Sequence, residues 1–100
     1  MTNEDQLHIA VGRAARAETL QRDELLTEAF QSLEDAYIAA WRRTTIDDVT
    51  GREKLFLAIN IVGKVKDHLS KVVSDGKLAD AELRQIAQTA ERKRTWPEIK

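Results

Sequence analysis

One hundred residues with a formal charge of −1, 42% of them apolar and 33% charged, make a single small domain without a global field toward nucleic acid or membrane. Cysteine is absent, which excludes a disulfide framework and thiolate chemistry, and one proline with four glycines suits helices better than a sheet. No apolar run approaches the ~20 residues of a membrane span, and the acidic start Met1-Thr2-Asn3-Glu4-Asp5 is the reverse of a signal peptide's basic region; the expectation is a soluble, cytoplasmic protein.

In chain order, residues 1–12 are weakly patterned, with Gly12 interrupting a possible turn of helix at Leu7–Val11, and read as a weakly ordered segment. From Arg13 the residues favour helix, and Leu26, Phe30, Leu33, Tyr37 and Ala40 recur at alternating four- and three-residue spacings. This predicts one helix over about residues 14–43, ended by Arg42 and Arg43, whose charge suits the exposed carbonyls of a last turn. Thr50-Gly51-Arg52-Glu53 has the form of a capping box and opens a second helix over about 52–74, stopped by Asp75-Gly76. Its stripe is Leu55, Ala58, Val62, Val65, Leu69 and Val72, matching the first, so the two helices predict an antiparallel hairpin. A shorter third helix follows over about 80–94, with Asp80 as N-cap and Ala79, Leu83, Ile86 and Ala90 on one face. Pro97 disfavours helix in the residue before it, leaving 95–100 as a tail. The fold class is all-α: a helical-hairpin domain over 13–94 between a weakly ordered start and that tail.

Charge is uneven along this layout. Residues 1–50 sum to −5 and residues 51–100 to +4, a polarity that suits antiparallel pairing between the helices or between copies of the chain. Gly63 interrupts the second helix at a cost of about 1 kcal/mol relative to alanine. It shares a face with Phe56 and Ile59, away from much of the seam, and these three residues are the candidate oligomer contact. Trp96, an apolar side chain in a polar tail, is the candidate docking anchor for a partner.

Catalytic candidates are absent. His68 is the one histidine inside a firm element, and adjacent Asp67 points elsewhere on a helix, so neither a nucleophile–base pair nor a metal or cofactor site is nominated. Lys64, Lys66, Lys71 and the cluster Arg92-Lys93-Arg94 are the candidate phosphate contacts for DNA, but they do not form one stripe. A small DNA-binding regulator is therefore the second reading, after a non-enzymatic, homo-oligomeric adaptor.

Ala40-Trp41-Arg42, Gly51-Arg52-Glu53-Lys54-Leu55-Phe56, Val62-Gly63-Lys64-Val65, His68-Leu69 and Gly76-Lys77 together resemble small helical proteins of bacteriophage, prophage and gene-transfer-agent genomes, over roughly residues 25–90. The resemblance implies a virion-assembly or DNA-packaging factor, such as a small terminase subunit. Such subunits form rings through helical hairpins and deliver DNA to a large, ATP-hydrolysing packaging subunit. The chain departs from that pattern in lacking a clear amino-terminal helix-turn-helix, which puts direct DNA recognition in doubt.

Overall fold

A computed structural model describes the backbone of residues 2–95 and the side chains of residues 2–93. The fold is all-α, with three helices: α1 (Asn3–Arg22), α2 (Glu24–Arg43) and α3 (Val49–Thr95). A helical hairpin with one further helix is present, and α2 ends at Arg43 as the sequence predicts, but the other helix boundaries fall elsewhere than the spacing predicts. Each difference has a local cause.

The weakly patterned start is the first half of α1. Thr2 Oγ1 accepts from the Asp5 N–H at 3.1 Å, and the Asp5 carboxylate accepts from the Thr2 N–H at 3.3 Å. This reciprocal pairing satisfies two backbone donors at the helix start. Gly12 does not interrupt the helix. A side chain added there would meet nothing within 4 Å, so this glycine costs helix propensity and nothing more.

The long first helix expected over 14–43 is broken at Asp23. That residue leaves helical geometry, with φ −70° and ψ 114°, and its carboxylate accepts from the Leu26 N–H at 3.0 Å. An N-cap aspartate thus starts α2 where composition alone suggested continuity. Thr44 closes α2, its hydroxyl donating to the Trp41 carbonyl at 2.6 Å.

The cap of α3 is Asp48 rather than Thr50. Its carboxylate accepts from the Gly51 N–H at 3.0 Å, and a Cβ at position 51 would run into that carboxylate. Once Asp48 takes the cap, Thr50 falls in the first turn, and the capping box beginning at Thr50 does not form.

Helix α3 then continues through Asp75-Gly76, where a stop was expected, so the separate helix over 80–94 is the second half of α3. Gly76 does not take a left-handed conformation; no residue with positive φ occurs among the described residues. Its missing side chain serves packing instead, since a Cβ there would overlap the Ala14 methyl and lie 3.1 Å from the Ala10 carbonyl oxygen. Asp75 pairs with Lys71 at 2.8 Å and Asp80 with Arg84 at 3.1 Å, both one turn apart inside the helix, so neither aspartate acts as a cap.

The chain divides into two compact units, Met1–Ala17 with Lys71–Lys100, and Glu18–Ser70. In the first, α1 packs against the second half of α3 through small residues: Ala14, Ala17, Val73 and Ala79 are buried, with Gly76 between them. In the second, α2 runs antiparallel to the first half of α3. Trp41 lies against Arg52, the guanidinium 5.6 Å from the ring centre, and Glu34 meets Lys66 at 3.2 Å further along. At the start of this unit, Gln21 donates to the Ser70 hydroxyl at 3.0 Å.

Val62 is the buried centre of the second unit, flanked by half-buried Leu26, Phe30, Tyr37, Leu55, Ala58 and Leu69. Two expected seam residues are not enclosed: Leu33 is 43% and Val65 45% exposed. One covering helix shields only the arc facing it. Ile59 and Lys66 occupy the neighbouring arc, with the Glu34–Lys66 pair closing that edge, and Val65 is turned to the other side.

Candidate interaction surface

His68 is exposed and borders a shallow groove of about 290 Å³ with Ile61, Lys64, Val65 and Leu69. No hydrogen-bond or ion-pair partner that would orient it for proton transfer accompanies it in that groove. Among the described residues, no group of three or more His, Asp or Glu side chains could hold a metal ion, and no buried side-chain polar atom lacks a hydrogen bond.

What the structure does present is uncovered apolar surface on the hairpin of the second unit. Of the proposed oligomer contacts, Phe56 is 57% exposed, Ile59 is half-buried, and Gly63 has open space where a side chain would stand. All three lie on one flank of α3. The opposite flank holds Leu57, Ile61 and Val65, one turn apart from one another and 53%, 60% and 45% exposed. Sequence reading placed Val65 in the seam and passed over Leu57 and Ile61. The i, i+4, i+8 spacing of the three was visible, but it competes with the seam's own spacing, and only the position of α2 separates them.

A second apolar recess lies at the α1–α2 junction. Leu20 and Leu26 stand on either side of Asp23 and, with Phe30 and Leu69, line a cavity of about 260 Å³. The break at Asp23 turns Leu20 and Leu26 toward it from two different helices.

The candidate DNA contacts are scattered. Lys66 is held by Glu34 and Lys71 by Asp75. Lys64 is exposed beside the apolar groove, while Arg92 and Lys93 are exposed near the end of α3 in the first unit. The Arg94 side chain and Trp96 lie outside the described residues. No described helix is long and apolar enough to cross a membrane. Comparison with protein-family models, curated proteins and solved structures finds no match to this chain.

Proposed function

We propose that this chain is a non-enzymatic helical adaptor of the cytoplasm that associates with copies of itself and recruits another macromolecule. Support comes from one observation above all: both flanks of α3 beside the hairpin seam carry large exposed apolar side chains, Phe56 on one and Leu57, Ile61 and Val65 on the other. Soluble monomers rarely leave contiguous apolar surface of this kind uncovered. The Phe56, Ile59 and Gly63 edge and the Leu57 flank are the two surfaces available for self-association, and Trp96 is the proposed anchor for a protein partner.

The resemblance to small phage-encoded helical proteins gives the process: virion assembly or DNA packaging, with a large packaging subunit as the partner. Direct DNA contact through Lys64, Lys66, Lys71 and Arg92–Arg94 is the weaker reading, because Lys66 and Lys71 already hold acidic partners. Light scattering across a range of concentrations tests the proposal. Assembly into a defined oligomer supports it, and a strict monomer at all concentrations refutes it. Binding to DNA that weakens steeply with salt, by a protein that stays monomeric, would favour the regulator instead.

A further inference from the structure

The cavity at the α1–α2 junction differs from the open flanks of α3, because all three helices line it. Leu20 and Gln21 come from α1, Leu26 and Phe30 from α2, and Lys66 and Leu69 from α3, all within the second unit. The helix break creates the space. On one continuous helix, Leu20 and Leu26 would point about 120° apart, and leaving helical geometry at Asp23 brings both to the same recess. Leu26, Phe30 and Leu69 are half-buried and form its floor, whereas Gln21, Thr27 and Gln31 are exposed and form its rim.

Size and polarity together define what fits. An apolar cavity of about 150 Å³ takes up benzene, and in the same proportion a volume of about 260 Å³ holds roughly ten non-hydrogen atoms, a bicyclic aromatic ring. A rigid ring fills such a space without the ordering cost of a flexible chain, and Phe30 offers it an aromatic neighbour. Lys66 is the one charged residue lining the cavity, and Glu34 neutralises it at 3.2 Å, so no unbalanced charge awaits an ion. Gln21 is engaged with the Ser70 hydroxyl at 3.0 Å. Thr27 has committed its hydroxyl proton to the Asp23 carbonyl at 2.9 Å, which leaves the lone pairs of Oγ1. Gln31 donates from its amide nitrogen to the Asp35 carboxylate at 2.9 Å. A carboxylate only accepts, so this bond orients the amide and leaves Oε1 as an acceptor. Thr27 and Gln31 stand one turn apart on α2, which puts both acceptor oxygens along one edge of the rim.

We propose that this cavity binds a small, uncharged aromatic molecule carrying one N–H or O–H donor, of the indole or phenol class. The ring lies on Leu26, Phe30 and Leu69, and the donor meets Thr27 and Gln31. This site goes beyond the adaptor reading and does not depend on it, since none of the exposed apolar residues on the flanks of α3 lines the cavity.

Indole is the probe, and indene, of the same shape but without the N–H, is its control. Both are titrated into the full chain and followed by amide chemical shifts. Indole should bind saturably with a Kd of about 1 mM or tighter, shifting the amides around Leu20, Leu26 and Leu69. Indene should bind roughly 3- to 10-fold more weakly, for want of one hydrogen bond. Leu20→Trp fills the cavity from a residue already 45% exposed, so helicity should be kept while indole binding falls at least about 10-fold. Thr27→Val combined with Gln31→Leu should leave the cavity open and erase the difference between indole and indene. Failure of indole to saturate the wild-type chain up to its solubility limit overturns the site. Indole binding that survives Leu20→Trp also overturns it, by placing the ligand elsewhere. Equal affinity of the wild-type chain for indole and indene overturns the donor requirement, as does a difference that persists in the doubly substituted chain.

Discussion

Gly63 and Gly76 lie in the same helix, and alanine at the two positions should have opposite effects. Both sites gain the helix propensity of alanine over glycine, about 1 kcal/mol. At position 63 nothing stands within 4 Å of the added methyl, so that gain is uncompensated. With a shift of ~4–8 °C per kcal/mol for a domain of this size, Gly63→Ala should raise Tm by about that amount. At position 76 the methyl would overlap the Ala14 side chain and lie 3.1 Å from the Ala10 carbonyl oxygen and 3.4 Å from the Ala14 Cα. Two of those three neighbours are backbone, so relief requires α1 to move away from α3 within the first unit. Overpacking of this kind costs ~1–3 kcal/mol, which cancels the propensity gain and leaves a net loss of about 1 kcal/mol. Thermal melts followed by circular dichroism measure both variants. A cycle with Ala14→Gly should show Gly76 and Ala14 coupled by about 1–3 kcal/mol, since removing the opposing methyl restores the space. A Gly76→Ala protein that melts higher than wild type, by as much as Gly63→Ala does, would refute the close approach of α1 and α3.

Val62→Asp should unfold the hairpin at a cost of about 3 kcal/mol or more, since Val62 is 8% exposed, while Val65→Asp, at a half-exposed site, should retain helicity. Far-ultraviolet circular dichroism of the two proteins decides it, and loss of helicity in both would place Val65 back in the seam. Asp23→Ala removes the carboxylate that accepts from Leu26 N–H and should destabilise by about 1 kcal/mol, read from chemical denaturation. Stabilisation instead would mean that α1 and α2 prefer to fuse. If two copies share their apolar sides, Tm should rise with protein concentration, a tenfold increase contributing about 1.4 kcal/mol per mole of dimer. A Tm independent of concentration over two decades contradicts it.

The helical character of the chain and the presence of a hairpin were legible because the apolar spacing of Leu26, Phe30, Tyr37, Leu55, Val62 and Leu69 has one interpretation at 3.6 residues per turn. The boundaries were less legible, because short polar residues and glycine have two uses. Asp23 resembles any exposed aspartate of a helix until its carboxylate is seen on Leu26 N–H, whereas Asp80 resembles a cap and instead pairs with Arg84 inside α3. Gly76 after Asp75 has the form of a helix stop. Which use prevails is decided by Ala14, more than sixty positions away in the sequence, and local pattern cannot carry that information. The same limit hid the Leu57, Ile61 and Val65 flank. A helix with apolar residues over more than one arc carries more apolar surface than one neighbour covers, and only the position of the partner helix shows which arc remains open.

That open arc also bears on stability. The buried apolar side chains among the described residues are Ala14, Ala17 and Ala79 with Val62 and Val73, three of them alanines with little surface to remove from water. Each large side chain fully buried contributes ~1.5–3 kcal/mol, and an alanine much less, so the interior of a single copy is thin beside the conformational entropy of ordering three helices. Leu25, Leu57 and Ile61, all more than half exposed, are the apolar residues whose burial would add most. On the self-association proposed above, burial of Leu25, Leu57 and Ile61 would add to what the half-buried seam of Leu26, Phe30, Leu55 and Leu69 contributes within one copy.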